Sequence, residues 1–225
     1  MDPVIFLKNV TITQSGIDIL SDISLSINKG EFIYLIGKTG VGKSSLLKIL
    51  YGDIPVKKGE AKILDINLLK LKENKIPYLR RKLGVVFQDF KLLPNKTISQ
   101  NLEFVLKATE WKDNLKINER ISEVLKKVKL MEVINKYPNE LSGGEQQRIA
   151  ISRALLNDPE IIIADEPTGN LDPATSIEIM SLIKEINNNG TTIIIATHDY
   201  EIISKFPEKT IRIEKERFFE LSKKS

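Results

Sequence analysis

Residues 32–44 read FIYLIGKTGVGKS, a continuous apolar run that leads directly into a glycine-rich loop. The apolar run, Phe32–Ile36, has the length and composition of a buried strand. Residues 44–51 then follow a helical pattern. A strand, a glycine loop and a helix in this order open a parallel βα unit. We therefore expect an α/β fold with a parallel core sheet.

The glycine-rich loop fits the phosphate-binding pattern G-x4-G-K-[ST], known as Walker A. Glycines allow backbone N–H groups to turn toward phosphate oxygens, and the helix start adds partial positive charge there. Lys43 is placed to reach β- and γ-phosphates, and the Ser44 hydroxyl to bind Mg²⁺. The alternative, a glycine turn before an ordinary helix, is disfavoured by the strand before it and the helix after it. The predicted nucleotide-binding residues of this loop are Gly37, Lys38, Thr39, Gly40, Val41, Gly42, Lys43, Ser44 and Ser45.

A second apolar run ends in two acids, since residues 161–166 read IIIADE. This pattern fits a Walker B strand, in which Asp165 would hold Mg²⁺ through water and Glu166 would point at the attacking water. The carboxyl ends of parallel strands gather at one edge of a sheet, where ligands bind. Taken alone, the two acids are equally compatible with a solvated turn, but the upstream phosphate loop favours the nucleotide site.

Residues 141–148, LSGGEQQR, contain a helix start with two glycines. Ser142 is placed as the N-cap, and Glu145 three residues later completes a capping box. Glycine costs roughly 1 kcal/mol against alanine inside a helix, but it leaves the first N–H groups accessible to an anion. The spacing by itself does not reject the alternative, a capped helix with a flexible entry.

The glycine loop, LSGGEQQR and the later IIIADEPTGNLD together resemble the motif series of the nucleotide-binding subunits of ABC transporters. The resemblance covers residues 6–213 and keeps the family's motif order. It implies a P-loop NTPase of the ABC-ATPase fold, with a RecA-like parallel core, an N-terminal antiparallel β subdomain and an inserted helical subdomain. It also implies Mg²⁺-dependent hydrolysis of ATP to ADP and phosphate.

The resemblance assigns roles to three further segments. Gln88, in VFQD, matches the Q-loop glutamine, which contacts Mg²⁺ or the attacking water. Residues 170–172, NLD, match the D-loop, which in relatives crosses to the partner subunit, and His198, in ATHD, matches the switch histidine that contacts the γ-phosphate. The implied catalytic set is Glu166, His198, Gln88 and Lys43, and the implied Mg²⁺ set is Ser44, Gln88 and Asp165.

In this family two subunits face head to tail, and each ATP lies between the phosphate loop of one subunit and the signature segment of the other. The resemblance therefore implies a homodimer that forms on ATP binding. ATP would link two protein surfaces, and hydrolysis would remove that link. The residues expected to meet the nucleotide held by the partner are Ser142, Gly143, Gly144 and Glu145.

One segment departs from the family pattern. Relatives usually place an aromatic residue after the first strand to stack on adenine, whereas residues 11–14 here read TITQ. Ile12 and Gln14 are the candidates to pack against the base, more weakly than a ring would. This segment therefore does not fix selectivity for ATP over GTP.

The rest of the chain supports one ABC-ATPase domain over residues 1–225. Apolar residues at helical spacing indicate a helical region over 97–137, at Ile121, Val124, Leu125 and Val128. Antiparallel strands are expected over 5–27, parallel strands over 160–164 and 191–196, a helix over 173–187, and closing strands near 210–213 and 218–221. The expected subdivision is an antiparallel β subdomain plus phosphate-loop core over 1–88, a helical subdomain over 89–140, and the signature helix, acidic strand and remaining core over 141–225.

The composition excludes several classes of protein. The chain has 225 residues, 41% of them hydrophobic and 28% charged, which is typical of a globular domain. Cysteine is absent and there is one histidine, so disulfides, thiol catalysis and sites with two histidines are excluded. The net charge of +4 argues for neither a nucleic-acid nor a membrane surface, and the basic residues 80–82 are expected on a solvated helix face rather than on RNA or anionic lipid. No apolar run approaches the roughly 20 residues that span a bilayer, and no secretory signal is visible at the first residues, Met1, Asp2 and Pro3.

We therefore expect a peripheral protein at the cytoplasmic face of the cell membrane, coupled to a separate integral membrane chain. Two subfamilies combine GEQQR with ADEPTGNLD. One is the bacterial cell-division group, whose ATPase pairs with a membrane protein of the FtsX type and controls peptidoglycan hydrolases. The other is the lipoprotein-release and macrolide-export group. Residues 80–89, RRKLGVVFQD, favour the division group.

Three readings from other classes remain as alternatives. Soluble ABC ATPases act on nucleic acid or ribosomes, but they usually need two cassettes or a long insertion, and no direct nucleic-acid partner is expected here. A P-loop kinase for small molecules has no use for LSGGEQQR. A scaffold that binds ATP without turning it over is disfavoured by Glu166 and His198.

Overall fold

The computed structural model describes residues 3–214 and 217–221. The expected domain covers residues 1–225. Of these, residues 1–2, 215–216 and 222–225 lie outside the described residues. Within the described chain, two sheets and seven α-helices account for most of the backbone.

The first sheet is antiparallel and has four strands in the order β2-β1-β4-β5. Its strands are β1 (Ile5–Gln14), β2 (Ile17–Ile27), β4 (Lys58–Ile63) and β5 (Ile66–Asn67). The turn between the first two strands uses Ser15 and Gly16, both with positive φ, as a tight two-residue hairpin requires. The predicted antiparallel N-terminal region is confirmed.

The second sheet has six strands in the order β10-β9-β3-β8-β7-β6. Its strands are β3 (Phe32–Ile36), β6 (Leu83–Val86), β7 (Ile161–Asp165), β8 (Thr192–Ala196), β9 (Lys209–Glu214) and β10 (Arg217–Leu221). Every neighbouring pair is parallel except β10 with β9. The predicted parallel core is therefore confirmed, with one antiparallel edge strand.

Seven α-helices of the described chain connect or flank the strands. They are α1 (Lys43–Leu50), α2 (Ile76–Arg81), α3 (Ile98–Ala108), α4 (Asn114–Lys127), α5 (Gly143–Ala154), α6 (Pro173–Asn188) and α7 (Tyr200–Lys205). Short 3₁₀ turns lie at 68–70, 73–75, 131–133 and 138–140. The helices α3 and α4 fall between β6 and α5, where the sequence predicts helical structure. No helix of the described residues is long and apolar enough to cross a membrane.

Alternate residues of the central strands pack on opposite faces of the parallel sheet, because side chains in a strand have a period of two. One face packs against helices α3–α6 through Tyr34, Ile36, Ile162, Ala164, Ile193 and Ile195. The other packs against α1 and the antiparallel sheet through Ile33, Leu35, Ile161, Ile163, Ile194 and Ala196. Both faces are therefore buried, and only the strand ends remain for a ligand.

Candidate nucleotide site

The site lies at the carboxyl ends of β3, β6, β7 and β8, as expected for a parallel sheet. The phosphate loop leaves β3 at Gly37, whose added Cβ would lie 2.6 Å from the Ile213 carbonyl oxygen. It enters α1 through Gly42, which has a φ of 101°. Only glycine tolerates both the backbone contact at the first position and the left-handed conformation at the second.

Lys43 is buried and its ammonium turns back into the loop. It donates to the Gly37 carbonyl at 2.8 Å and to the Lys38 carbonyl at 3.3 Å. The charge is thus held at the centre of the loop, where an anion would be bound.

Asp165 lies at the end of β7, beside the first turn of α1. Burial raises the pKa of its carboxyl above the ordinary value, and the charge of Glu166 adds to this. A hydrogen bond with Ser44 and the charges of Lys43 and Lys48 oppose the increase in pKa. The hydroxyl and the carboxylate are oxygen ligands of the type that Mg²⁺ prefers, and they are already in contact, so these residues fit the predicted metal site.

Glu166 and His198 form a pair at the ends of β7 and β8. The His198 Nδ1 atom lies 2.7 Å from the Glu166 Oε1 atom, and the His198 backbone N–H donates to Oε2 at 3.4 Å. The Glu166 side chain is 13% exposed, whereas that of His198 is 64% exposed. Glu166 also has a φ of 46°, an uncommon backbone conformation for a residue other than glycine.

Gln88 is connected to the D-loop by two hydrogen bonds. Its side-chain amide donates to the Asn170 Oδ1 atom at 3.4 Å, and the Asn170 amide donates to the Gln88 carbonyl at 3.0 Å. The neighbouring Asp172 caps the N-terminus of α6 by accepting from the backbone of Ala174 and Thr175. The Q-loop and the D-loop of one chain therefore touch each other.

One cavity of about 520 Å³ contains most of the predicted site. It is lined by Gln14, Ile19, Thr39, Gly40, Gly42, Lys43, Ser44, Ser45, Gln88, Asp165, Glu166 and His198. The other phosphate-loop residues, Gly37, Lys38 and Val41, support the loop from outside this lining. The signature residues 142–145 do not line this cavity.

The signature segment forms the capped helix start that the sequence predicts. Ser142 Oγ accepts from the Glu145 backbone at 3.3 Å, while the Glu145 carboxylate accepts from the Ser142 backbone N–H at 2.7 Å and from its hydroxyl at 2.8 Å. These bonds hold the pKa of the Glu145 carboxyl below its ordinary value. An added Cβ at Gly143 would lie 3.3 Å from Leu171, so this helix start packs against the D-loop.

The end of the cavity nearest the first sheet is lined by Gln14 and Ile19, and the lining residues named for this cavity include no phenylalanine, tyrosine or tryptophan. Ile12 is only 1% exposed and belongs to the core. The expectation that Ile12 packs against a base is therefore wrong, because irregular pairing of β1 with β2 turns this side chain inward. Gln14 lines the cavity, and its contact with a base stays a prediction.

The basic residues at the end of α2 each have an acidic partner. Arg80 lies 3.6 Å from Asp53, Arg81 lies 3.0 Å from Glu110, and Lys82 lies 2.8 Å from Asp65. Their charges are compensated within the chain.

Comparison with known proteins identifies the family. The model of the ABC transporter family matches residues 20–169. The chain belongs to the ABC transporter family. The predicted family and fold class are confirmed, and the chain is an ATPase subunit of this family.

Several relatives in the ABC transporter family are cell-division proteins. The cell division ATP-binding protein FtsE of Bacillus subtilis is 46% identical over 200 residues, which are 89% of this chain and 87% of that protein. FtsE of Streptococcus pneumoniae is 46% identical, over 90% of this chain and 88% of that protein. The methionine import ATP-binding protein MetN of Bifidobacterium longum is 37% identical, and the match covers 46% of its length.

Solved structures of ABC cassettes have the same fold. A dimeric ATP-binding cassette in a post-hydrolysis state, bound to ADP and Pi, superposes with a TM-score of 0.84 at 36% identity and covers 97% of this chain and 99% of its own. A dimeric bacterial ABC transporter cassette superposes with a TM-score of 0.85 at 37% identity, with the same coverage.

Two side chains of the ABC signature helix contact residues next to the site and were missed by the sequence analysis. Gln147 donates to the Pro167 carbonyl, next to Glu166. Arg153 donates to the carbonyls of Phe90 and Lys91, just after Gln88, at 2.8 and 2.5 Å. Their position on the signature helix was visible in the sequence, but their partners were not.

Proposed function

We propose that two copies of this chain bind MgATP between them and hydrolyse it to drive a conformational change in a separate integral membrane protein of the FtsX type, in cell division. The proposed location is the cytoplasmic face of the cell membrane, as a peripheral subunit. Support for the division role comes from FtsE relatives that match this chain at 46% identity over about nine tenths of its length.

The observation that carries the catalytic proposal is the single cavity that unites Lys43, Asp165, Glu166 and His198. Ser44, Asp165 and Gln88 would hold Mg²⁺, which neutralises charge on the phosphates when bound. Lys43 would bind the β- and γ-phosphates as a charge-assisted donor. Glu166 would then orient and polarise the attacking water.

The Glu166–His198 pair suggests how the histidine takes part. A neutral imidazole has one donor nitrogen and one acceptor nitrogen, whereas the protonated ring donates from both. His198 would bond to Glu166 through Nδ1 and would present its other ring nitrogen to a γ-phosphate oxygen. The histidine would then connect the base to the phosphate on which its water acts.

The signature residues lie outside the cavity of their own chain, which supports a site completed by a second copy. In the proposed dimer, the capped helix start at Ser142, Gly143, Gly144 and Glu145 would close on the γ-phosphate bound by the partner. Loss of that phosphate would release the two copies and so change the shape presented to the membrane protein.

The test is the Glu166→Gln variant, which keeps the size of the side chain and removes the base. We expect it to bind ATP, to form a stable dimer in size-exclusion chromatography, and to lose most hydrolysis. The matched control adds Lys43→Ala, which should remove both ATP binding and the dimer. Rapid ATP turnover by Glu166→Gln would contradict the role of Glu166.

The trapped dimer also tests the membrane partner. Membranes of the source cells are solubilised and incubated with Glu166→Gln and ATP, and the retained integral membrane chain is identified by mass spectrometry. A division-type partner supports the proposal. A lipoprotein-release, macrolide-export or importer permease, or a ribosomal particle, would overturn the division role while leaving the ATPase assignment in place.

A further inference from the structure

Gln147 is fully buried one turn into α5, the helix that begins with the signature segment. Its amide nitrogen donates to the Pro167 carbonyl at 2.6 Å. Its Oε1 atom has no hydrogen-bond partner among the described residues. A buried amide oxygen without a hydrogen-bond partner lowers the stability of the folded protein. The bond from the Gln147 amide nitrogen to Pro167 is therefore the polar contact that this buried side chain provides.

The Pro167 carbonyl belongs to the residue that follows Glu166. Proline has no N–H, so this carbonyl is the one backbone hydrogen-bonding group of Pro167. A residue before proline is normally pushed toward extended backbone, yet Glu166 has a φ of 46°. A left-handed conformation is unfavourable for a non-glycine residue and persists only where the surroundings hold it.

Three hydrogen bonds hold this part of the backbone. The Glu166 N–H donates to the Ala196 carbonyl at 2.8 Å, and the Gly169 N–H donates to the Glu166 carbonyl at 3.0 Å. Gln147 supplies the third, and it is the one that comes from the signature helix. The backbone that carries the Glu166 side chain is therefore held in part by a side chain of α5.

We propose that Gln147 is a positioning residue, which fixes the peptide after Glu166 and so aims the Glu166 carboxylate at the attacking water. The inference rests on the proposed role of Glu166. Because Ser142 and Gln147 lie on one helix, closure of the signature segment on the partner's nucleotide would be transmitted to the Pro167 carbonyl of the same chain.

The test is Gln147→Met in the full-length chain. Methionine has a similar shape, removes the unpartnered Oε1 atom and leaves the Pro167 carbonyl without its donor. Since small displacements of reacting groups cost up to about a hundredfold, we expect kcat to fall about tenfold to a hundredfold. The Kd for ATP should stay within about twofold of the wild-type value, because no residue lining the cavity is changed.

A double variant separates positioning from general damage. If Gln147 acts through Glu166, then Gln147→Met combined with Glu166→Gln should hydrolyse ATP no more slowly than Glu166→Gln alone. If the fall in kcat of the double variant equalled the product of the falls in the two single variants, the inference would be overturned. Gln147→Asn, which keeps a buried amide but is too short for the bond, should lower kcat as Gln147→Met does and serves if the methionine variant folds poorly.

The matched control is Asn187→Leu. The Asn187 amide is also buried, and it donates to the Gly30 and Thr191 carbonyls at 2.9 Å, at the opposite end of the sheet. Asn187→Leu should lower the free energy of unfolding and leave kcat unchanged. Wild-type kcat in both Gln147 variants, or an equal loss in the control, would overturn the inference. Failure of the proposed function would be recognised separately, because the Glu166→Gln variant would then hydrolyse ATP at the wild-type rate.

Discussion

Asp165 is held in surroundings that disfavour its own charge. Burial raises the pKa of its carboxyl, and only the hydrogen bond with Ser44 and two lysine charges oppose this. A carboxylate in this position destabilises the nucleotide-free protein and gains from a nearby divalent cation. The local stability of the chain is thus lower where the proposed Mg²⁺ ligand lies.

Asp165→Asn should therefore stabilise the nucleotide-free protein at pH 7 and abolish Mg²⁺-dependent hydrolysis. The pKa of Asp165 is raised in the folded state, so the penalty is absent below the unfolded value of about 3.9 and develops as pH rises through the folded value. Thermal unfolding without Mg²⁺ and nucleotide should give a higher Tm for the variant at pH 7, and this difference should shrink toward pH 4. A lower Tm at pH 7 would contradict the prediction.

At the scale of elements, the start of α5 is fixed by its packing against α6. An added Cβ at Gly144 would lie 2.5 Å from the Thr175 Cγ2 atom, far inside contact distance, but 3.8 Å from the Thr175 Oγ1 and Cβ atoms. Close packing against Thr175 therefore favours glycine at position 144, the second glycine of the signature segment. The sequence suggested only the accessibility of its N–H to an anion.

Gly144→Ala should destabilise the protein by about 1–3 kcal/mol, the usual cost of overpacking. Thr175→Ser removes the Cγ2 methyl and keeps the hydroxyl that donates to Asp172. In the Thr175→Ser background, Gly144→Ala should cost little or become stabilising, because alanine is the better helix former. Urea unfolding of the four proteins in this double-mutant cycle measures the coupling, and equal losses in both backgrounds would show that the contact is not the cause.

Across the whole molecule, the sequence predicts those features that depend on residues close together in the chain. The phosphate loop, the capping box at Ser142 and the acids after β7 each depend on a few consecutive residues, and the structure places them as expected. The strands β4 and β5 and the helix α2 were not assigned, because each of these segments has six residues or fewer.

Contacts between distant segments could not be predicted. Gln88 and Asn170 are 82 positions apart, and Gln147 finds Pro167 only because α5 packs against the loop after β7. The wrong prediction for Ile12 also has a cause that the local sequence does not show. Breaks in the pairing of β1 with β2, and the positive φ of Asn9, shift the phase of the strand in a way that residue types do not specify.

Within the described residues, the cavity and the signature segment are separate. The cavity holds the residues that would bind and cleave the phosphates, while the signature helix start packs on its own D-loop through Gly143 and Leu171. A site formed within one chain would need the signature residues in that cavity. In the proposed head-to-tail pair of chains, the signature segment of each copy would meet the cavity of the other.

Mixing two inactive variants tests this arrangement. Lys43→Ala removes the phosphate-binding charge and leaves the signature intact. Ser142→Glu leaves the phosphate loop intact and puts a negative charge where the partner's γ-phosphate is expected, while an acid at a helix start remains favourable for the helix dipole. Each variant alone should be nearly inactive. In a mixed head-to-tail dimer, the phosphate loop of the Ser142→Glu chain meets the signature of the Lys43→Ala chain, so phosphate release should recover on mixing. If each site were completed within one chain, both variants would stay defective, and mixing would restore nothing.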